Sequence, residues 1–300
     1  MDNEQQVKMF MPPHLSENPT NISISVIIIS CERPDYLKLA LDSVLNQIHK
    51  PTEIIIIDDC SVADYTPALS YFDDKRIMYH RFEKRSGANS ARNKGVELSR
   101  GDVLAFLDDD DIWNENFLQQ HYKEYVRNAE AVICGYSIID SPLKRKINAL
   151  KKVTEDELRK GNTFSGMSGF SALRSLLLEI NFDITLNNGQ DWDLFVRITQ
   201  QKRRFINIPM PLFQYRRGTA DGITSKAKKM TIATSKIRLA SAYKHREWLG
   251  ENKFNQRVAA HLLSFIGLKQ NKLQWLLESI KLAGFIATFI ALKKKVVNTP

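Results

Sequence analysis

Four consecutive aspartates at positions 108–111 are the residues of this chain best suited to chemistry. They follow the apolar run VLAFL at 103–107 and precede Ile112 and Trp113. Carboxylates this close together repel one another and raise one another's pKa, so a compact fold needs a cation to hold them. Hard oxygen ligands at the end of a buried strand suit Mg²⁺ or Mn²⁺, and these metals often bind phosphate. The alternative is a solvated acidic turn without a metal.

Two further apolar runs also end in polar side chains. Ser30 follows the run at 22–29, and Asp59 lies just beyond the run at 53–57. Strands that are apolar on both faces are typical of the interior of a parallel sheet, and the ligands of such sheets bind at the carboxyl ends of the strands. We therefore expect Ser30, Asp59 and the aspartates at 108–111 at one edge of one sheet, where they can form a single site.

Strands and helices alternate along the chain, which is typical of a doubly wound α/β fold. Small polar residues at 162–169 predict a loop that lines a cleft, and 141–148 reads as a basic connection. The hydrophobic spacing predicts strands at 22–29, 53–57, 76–80, 102–107, 131–139, 205–208 and 212–215, and helices at 34–45, up to Leu69, at 90–99, 117–128 and 171–179, from 190, and from 226 onward.

The charge of the chain is unevenly distributed. Its 300 residues, 43% of them hydrophobic, suffice for one α/β domain with an appendage. The formal net charge is +9, yet residues 226–300 hold 15 Lys and Arg against 3 Glu, so the first 225 residues sum to −3. A basic end on a nearly neutral body predicts an anionic surface as partner, either a membrane leaflet or a polyanion, rather than a globally cationic nucleic-acid binder.

The cysteines and the apolar runs bear on the compartment. Cys31, Cys60 and Cys134 have no paired spacing and no accompanying histidine cluster, so neither a disulfide framework nor a zinc site is supported and a reducing cytoplasm fits. Residues 1–21 lack the basic start and apolar stretch of a signal peptide and predict a flexible leader. No stretch reaches the roughly 18 apolar residues of a spanning helix; the nearest is 282–292.

Five segments, in this order, resemble the nucleotide-sugar glycosyltransferases of family 2, which have the GT-A fold: ISVIIISCERPDYLKLALDSVLNQ, EIIIIDDCS, GANSARNKG, AFLDDDDIW and NNGQDWDLFVRI. Their order and spacing agree from about residue 22 to 217. The resemblance implies a Rossmann-like α/β fold, a mixed sheet flanked by helices with a C-terminal helical extension. It also implies a leader at 1–21, a catalytic domain at 22–225 and a basic extension at 226–300.

Three departures from the family pattern are visible. Cys31 and Glu32 stand where many members have Tyr-Asn, so an aromatic contact to the nucleotide base is absent or supplied elsewhere. Gln190 and Asp191 stand where an acidic pair is usual. The run QYRRG at 214–218 approaches the Gln-x-x-Arg-Trp motif of processive polysaccharide synthases but ends in glycine, which argues against a processive enzyme.

The resemblance implies transfer of a sugar from a nucleoside diphosphate, with inversion at the anomeric carbon, assisted by Mn²⁺ or Mg²⁺. It assigns the metal to Asp110 first and Asp108 second, as the outer carboxylates of a D-x-D pattern. Asp109 then reaches the ribose or the waters of the metal, and Asp111 caps the following turn or helix. The remaining expected donor contacts are Ser30, Glu32, Asp59, Arg92, Arg216 and Arg217. For several of them, the alternative is a structural ion pair with a neighbouring side chain or exposure to solvent.

Asp59 is expected to accept the imide N–H of uracil, and its alternative role is an Asx turn that closes the strand. Asp191 is expected to act as the general base on the acceptor hydroxyl, a role compatible with its favourable place at a helix N-terminus. Trp192 and Gln190 are the expected acceptor contacts, although Trp192 can equally pack in the core. Asp193 points elsewhere around the helix. His80 and His121 are interpreted as structural.

The basic extension predicts either helices on the anionic inner face of the cytoplasmic membrane or helices packed on the catalytic domain. A glycan or lipid-linked acceptor in surface polysaccharide or lipopolysaccharide assembly fits the first alternative. No nucleic-acid partner is expected, and the oligomeric state is not specified by the sequence. Two other functions stay open. A sugar-nucleotide nucleotidyltransferase normally needs a glycine-rich loop after the first strand, which 30–35 does not provide. A tethered, non-catalytic binding module is disfavoured by the aspartates at 108, 110 and 191.

Overall fold

The computed structural model describes residues 22–217 and 230–297. The leader expected at 1–21 lies outside the described residues, as do 218–229 and 298–300. The chain divides into two compact units. Of the described residues, the first unit holds 22–154, 163–182 and 194–216, and the second holds 155–162, 183–193, 217 and 230–297.

The first unit is built on a nine-stranded mixed sheet with the order β3-β2-β1-β4-β8-β6-β9-β5, in which β7 also pairs with β6. The strands β1 to β4 run parallel, while β8 is antiparallel to both of its neighbours. Their bounds are β1 Ile24–Ser30, β2 Glu53–Asp58, β3 Ile77–Arg81, β4 Val103–Asp108, β5 Ile112–Trp113, β6 Ala131–Ile138, β7 Ser141–Lys146, β8 Phe170–Leu173 and β9 Phe205–Tyr215.

Helices cover this sheet because β1, β2 and β4 are apolar on both faces and buried along nearly their whole length. Leu37, Leu41 and Val44 form the buried face of the first helix. Gly95 allows a close approach between the third helix and β1, since a Cβ at this position would clash with Ile27. The helices of the first unit are α1 Pro34–Leu45, α2 Thr66–Ser70, α3 Ala88–Leu98, α4 Phe117–Val126 and α6 Arg174–Ile180. Helix α5 Glu155–Arg159 belongs to the second unit, and α7 Gln190–Gln200 begins in the second unit and continues in the first from Leu194.

Several elements differ from the sequence prediction, which also did not include the short strand β5 and the short helix α5. The basic connection at 141–148 contains strand β7, whose mostly exposed polar residues give no apolar alternation to detect. The helix predicted at 171–179 begins only at Arg174, because 170–173 forms the buried strand β8 between β4 and β6. The two strands predicted at 205–208 and 212–215 are one strand, β9. Pro209 and Pro211 lack an N–H, and the pairing of β9 with β6 shifts register beside them.

The described part of the second unit is helical apart from its connections, in agreement with the prediction for the basic extension. Besides α5, it contains α8 Ile232–Ile237, α9 Ala240–Lys244, α10 Arg246–Leu249, α11 Glu251–Leu262 and α12 Lys272–Val297. Helix α11 packs against α12. The predicted helical positions 226–229 lie outside the described residues.

Helix α12 contains a candidate membrane-spanning segment, which the sequence analysis did not predict. Its segment Lys272–Lys293 is long and apolar enough to cross a membrane by length and composition, with a mean hydropathy of 1.6. A requirement for continuous apolar residues does not identify this segment, because lysine and glutamate interrupt it. However, Gly284 has φ 78° and ψ 165°, which breaks α12 into two shorter helices.

Candidate active site

The four aspartates lie on a tight turn between two strands. Strand β4 ends at Asp108, the N–H of Asp111 donates to the carbonyl of Asp108 at 3.1 Å, and β5 begins at the next residue. The side chains alternate in exposure. Asp108 and Asp110 are 33% and 19% exposed, whereas Asp109 and Asp111 are buried. The two more exposed carboxylates are therefore those of Asp108 and Asp110, the pair that the family resemblance assigns to the metal.

Asp109 ties this turn to the end of β1. The Ser30 hydroxyl donates to Asp109 Oδ2 at 2.6 Å, and the N–H of Cys31 lies 3.4 Å from the same oxygen. Arg33 Nη2 lies 2.7 Å from Asp109 Oδ1, but its N–H does not point at that oxygen, so the contact is an ion pair and not a hydrogen bond. Burial raises the pKa of Asp109 to about 7, against the opposing effects of Arg33 and Ser30. The structure thus brings Ser30 to the acidic turn.

Each outer carboxylate is already paired with an arginine. Arg92, on α3 and nearly buried, donates through Nη2 to Asp108 Oδ1 at 2.8 Å. Arg33 donates through Nη1 to Asp110 Oδ2 at 2.6 Å. Burial, followed by repulsion from Asp108, raises the pKa of Asp110. Two guanidinium groups therefore supply the positive charge that the carboxylates need in the folded chain.

Arg33 is a functional candidate that the sequence prediction missed. It precedes Pro34 and so resembles an ordinary residue before a helix, which draws attention away from its side chain. Its position in the loop after β1 was the signal available, because side chains at the carboxyl ends of parallel strands converge.

Asp111 belongs to the turn, as expected, but its carboxylate caps no helix, because strand β5 follows at the next residue. It accepts a hydrogen bond from the Ser168 hydroxyl at 2.5 Å and from the N–H of Arg216 at 3.0 Å. Ser168 also accepts the N–H of Asp108 at 3.1 Å, so part of the loop predicted at 162–169 does lie against the acidic turn. Burial, together with Asp108 and Asp110, raises the pKa of Asp111 well above its usual value. Asp111 holds the turn to distant parts of the first unit.

Arg216 lies at the acidic turn, where its side chain contacts the main chain of Asp110. Its Nε donates to the carbonyl of Asp110 at 3.1 Å, and its guanidinium lies 4.6 Å from the centre of the Tyr36 ring. Arg217 is exposed and belongs to the second unit. A contact from either arginine to a diphosphate stays a prediction.

Asp59 and Glu32 both bind backbone groups of neighbouring loops. Asp59 accepts the N–H groups of Ser86 and Gly87 at 2.7 and 2.9 Å, which fixes the loop before α3. The Asx-type contact considered for Asp59 is made by Asp58, which accepts the N–H of Ser61 at 3.0 Å. Both residues remain at the carboxyl end of β2, beside the end of β1.

Glu32 closes the loop after β1. Its carboxylate accepts the N–H groups of Val62 and Ala63 at 3.0 and 3.1 Å and pairs with Arg85. The two backbone donors lower its pKa, followed by Arg85. Glu32 therefore orders the rim in this structure, and its predicted contact with the donor stays a prediction.

The acceptor candidates Gln190, Asp191 and Trp192 all lie in the first turn of α7, in the second unit. Asp191 is half-buried. Gln190 donates to the carbonyl of Leu186 at 2.8 Å. Trp192 is 1% exposed and donates through Nε1 to the carbonyl of Leu158 at 2.7 Å. Trp192 thus has the packing role that the sequence offered as an alternative, and a contact with a sugar would require the ring to move.

The remaining polar side chains fit structural roles. Asp193 is buried and binds His245 Nε2 at 2.7 Å and Lys244 Nζ at 2.8 Å. Its carboxylate is thus occupied by structural contacts, in agreement with the expectation that it does not share the role of Asp191. His121 is buried, its Nδ1 forms a hydrogen bond of 2.7 Å with the Ser171 hydroxyl, and its ring stacks on that of Phe117. His80 packs edge-on against Phe82. None of the three described cysteines forms a disulfide.

Comparison with known proteins decides the family. The profile of glycosyl transferase family 2 matches residues 25–182, which is more than half of the chain. The chain belongs to glycosyl transferase family 2. This confirms the resemblance drawn from the five sequence segments, and it makes the protein a glycosyltransferase.

Two family 2 relatives illustrate the similarity. The chain is 36% identical over 149 residues to the putative teichuronic acid biosynthesis glycosyltransferase TuaG of Bacillus subtilis, with 48% of this chain and 59% of TuaG covered. It is 30% identical over 227 residues to the amylovoran biosynthesis glycosyltransferase AmsB of Erwinia amylovora, with 70% and 75% covered. The chain therefore spans 59% of the length of TuaG and three quarters of AmsB.

Solved family structures confirm the GT-A fold. S. aureus TarS 1-349 in complex with UDP-GlcNAc has a TM-score of 0.59 at 13% identity, covering 93% of each chain. The mannosyltransferase PcManGT from Pyrobaculum calidifontis, in complex with GDP-Man and Mn²⁺, has a TM-score of 0.59 at 14% identity, covering 98% of this chain and 86% of the other. At these identities the likeness shows the fold alone.

The acidic turn of this family 2 enzyme is a partial donor set for a divalent metal. Among the described residues, no group of three or more His, Cys, Asp or Glu is arranged to hold an ion. Asp108 and Asp110 nevertheless offer hard oxygens, and each is bound by its arginine through one oxygen. Mg²⁺ commonly binds through one or two carboxylates together with water and substrate phosphates. The residues present fit such a site.

Proposed function

We propose that this protein is an inverting glycosyltransferase that moves a sugar from a nucleoside diphosphate, with UDP as the first expectation, to a hydroxyl group of a glycan or lipid-linked acceptor. The assembly of a bacterial surface polysaccharide is the proposed setting, because the names of TuaG and AmsB refer to such polymers. The observation that carries the proposal is the outward pair Asp108 and Asp110 at the carboxyl end of β4, each beside an arginine.

The donor is proposed to lie along the rim formed by the ends of β1, β2 and β4. Ser30, Glu32 and Asp59 order this rim through contacts to Asp109 and to the backbone of two loops. The base and ribose would meet this ordered edge, which presents backbone groups as well as side chains. UDP is the first expectation, as in the TarS complex with UDP-GlcNAc, and GDP is the second, as in the PcManGT complex with GDP-Man.

The diphosphate is proposed to meet the acidic turn together with the cations around it. Asp110 and Asp108 would hold Mn²⁺ or Mg²⁺, with phosphate oxygens and water completing the shell; the PcManGT complex, which has the same fold, contains Mn²⁺. When bound, the ion stabilises the negative charge that develops on the leaving diphosphate. Arg92, Arg33, Arg216 and Arg217 are the basic side chains available to contact the same phosphates.

Asp191 is the proposed general base, which would take the proton of the acceptor hydroxyl. The first turn of a helix favours its ionised form, and the residue is half-buried and not enclosed in the core. Gln190 precedes it and is proposed to contact the acceptor, while Trp192 supports the turn from within the core.

A cytoplasmic location is proposed, with attachment to the inner face of the membrane. Among the described residues all three cysteines are free, which fits a reducing compartment. The excess of 15 Lys and Arg over 3 Glu in residues 226–300 favours an anionic surface.

The test is a donor screen. Purified protein is incubated with UDP-, GDP- and dTDP-sugars, with and without Mn²⁺, and the release of nucleoside diphosphate is followed. Metal-dependent release from one nucleotide class, lost in an Asp110→Asn variant, is the expected result. Absence of binding and turnover for every donor would overturn the proposal. The anomeric configuration of the product, read by NMR, tests inversion.

A further inference from the structure

The last helix, α12, is bent too sharply to span a bilayer as one helix. Ser279 Oγ and Thr288 Oγ1 are hydrogen-bonded at 2.9 Å although nine residues separate them. In a straight helix nine residues rise about 13.5 Å, which two short side chains cannot bridge. The chain therefore turns back at Gly284. The parts 272–283 and 285–297 are about 18 Å and about 20 Å long, shorter than the roughly 30 Å of a hydrocarbon core.

Both parts of α12 expose large apolar side chains. Leu273 and Leu277 lie four residues apart in the first part, and Phe285 and Phe289 lie four residues apart in the second, with Ile286 beside them. These five side chains are 57% to 76% exposed. The rings of Phe285 and Phe289 stack with their centres 6.5 Å apart. Side chains at such spacing form a stripe along a helix, so each part has an apolar exposed stripe.

The opposite face of α12 already supplies the packing that the fold needs. Trp275, Ser279 and Ala283 follow one another at intervals of four and are buried, as are Ala287 and Ala291 in the second part. Most of these residues are small, which lets the two parts of α12 and the neighbouring α11 approach closely. The exposed stripes are thus not required by the core of the second unit.

Lysine continues both exposed stripes. Lys281 follows Leu277 at an interval of four, and Lys293 follows Phe289 at the same interval; both are exposed. The sequence continues with two more lysines, at 294 and 295. Apolar stripes that end in cations match a bilayer interface, where apolar side chains enter the acyl region and lysines reach anionic headgroups.

We propose that the bent helix α12 is a monotopic membrane anchor, which lies in the interface of an anionic leaflet without crossing it. Leu273, Leu277, Phe285, Ile286 and Phe289 enter the acyl boundary, and Lys281 and Lys293 contact lipid phosphates or carboxylates. The anchor specifies how the membrane attachment included in the proposed function is made. Vesicle binding needs neither donor nor turnover, so an Asp110→Asn variant is expected to bind vesicles as the wild type does.

The test is co-sedimentation of the full chain with vesicles of phosphatidylcholine alone or mixed with phosphatidylglycerol. We expect binding to the mixed vesicles that weakens with salt. A Phe285→Ser/Phe289→Ser variant is expected to bind at least about tenfold more weakly, because two large apolar side chains no longer enter the lipid. A Lys281→Gln/Lys293→Gln variant is expected to lose most of the preference for the anionic lipid.

The matched control is Val62→Ser/Leu143→Ser, which removes two apolar side chains that are more than nine-tenths exposed in the first unit. It is expected to bind vesicles as the wild type does. Equal vesicle binding by the phenylalanine variant and the wild type would overturn the proposal. A soluble dimer that the phenylalanine substitutions dissociate, with no vesicle binding by the wild type, would also overturn it and would assign the stripes to a second copy of the chain.

Discussion

Arg33 Nη1 lies 2.6 Å from Asp110 Oδ2, so the carboxylate proposed as first metal ligand is already bound to a cation of the protein itself. The same guanidinium lies 2.7 Å from Asp109 Oδ1. A divalent ion at Asp110 would compete with Arg33 for negative charge. If the ion replaced Arg33 at Asp110, the Arg33 guanidinium would be free to contact the diphosphate.

Replacing Arg33 is therefore expected to change metal and donor binding in opposite directions. Without nucleotide, Arg33→Gln should bind Mn²⁺ about three- to tenfold more tightly, because loss of one close charge pair is worth on the order of 1 kcal/mol. Its kcat/KM should fall, since a phosphate contact is lost. Calorimetric titration with Mn²⁺ measures the first effect. Arg76→Gln is the control, because Arg76 pairs with Asp74 elsewhere in the first unit. Unchanged or weaker Mn²⁺ binding would refute the competition.

The neighbouring aspartates should separate into functional and structural residues. Asp110→Asn is expected to lower kcat/KM by about 10²- to 10³-fold, as does the loss of other charge-stabilising groups, with little change in stability. Asp111→Ala is expected to lower the free energy of unfolding by about 1–3 kcal/mol, because the Ser168 hydroxyl and the Arg216 N–H lose their acceptor. Denaturant unfolding and steady-state kinetics distinguish them. An Asp110→Asn enzyme with full activity would remove Asp110 from the mechanism.

Two aspartates on α7 allow a similar comparison. Asp191→Asn should reduce kcat by about 10²- to 10⁴-fold, the usual range for a general base. The affinity for the donor and the folding of the protein should be unchanged. Asp193→Asn should instead destabilise the second unit, because His245 and Lys244 lose a buried partner. Kinetics and thermal unfolding of both variants are the measurement. Normal transfer by Asp191→Asn would require a different base.

The contribution of His121 to stability should decline as the pH falls below about 6.5, whereas the raised pKa values of Asp109, Asp110 and Asp111 act in the opposite direction. Burial lowers the pKa of His121 to about 3 in the folded chain, whereas the unfolded value is about 6.5. Between these values the unfolded state binds the proton and the folded state does not, so the contribution is complete above 6.5 and is lost as the pH falls. The slope approaches about 1.4 kcal/mol per pH unit.

His121→Phe should remove this contribution, so the stability difference between the variant and the wild type should shift in favour of the variant as the pH falls from 7 to 5, because the variant has no imidazole to take up the proton in the unfolded state. The Ser171 hydroxyl keeps Tyr125 as a partner at 2.7 Å, which limits the cost of the substitution. Denaturant unfolding of both proteins at pH 7, 6 and 5 provides the comparison. Identical pH slopes would show that His121 is not the titrating group.

The sequence predicted the main parts of the site because parallel strands impose where their ends lie. Ser30, Asp59 and the aspartates at 108–111 follow three buried apolar strands, and the register of β1 with β2 and β4 brings them to one edge. Local pattern was sufficient there, since apolar continuity specifies both the strand and its burial.

Other features depend on contacts that are distant in sequence. The partners of Asp111 are 57 and 105 residues away, so a turn residue and a tertiary anchor look alike in the sequence. The ion pairs of Arg33 with Asp109 and Asp110 depend on the pairing of β1 with β4, which is not apparent in the sequence around Arg33. The bend of α12 rests on one glycine, Gly284, within an apolar run. A single glycine there is compatible with either a continuous helix or a break.

The most direct test of the central claim is calorimetric titration of UDP, GDP and dTDP into the wild type and Asp110→Asn, with and without Mn²⁺. We expect at least one nucleotide to bind the wild type about tenfold or more tightly when Mn²⁺ is present, and Asp110→Asn to lose this gain while remaining folded. Binding of no nucleotide under any condition, or an undiminished Mn²⁺ effect in Asp110→Asn, would contradict it.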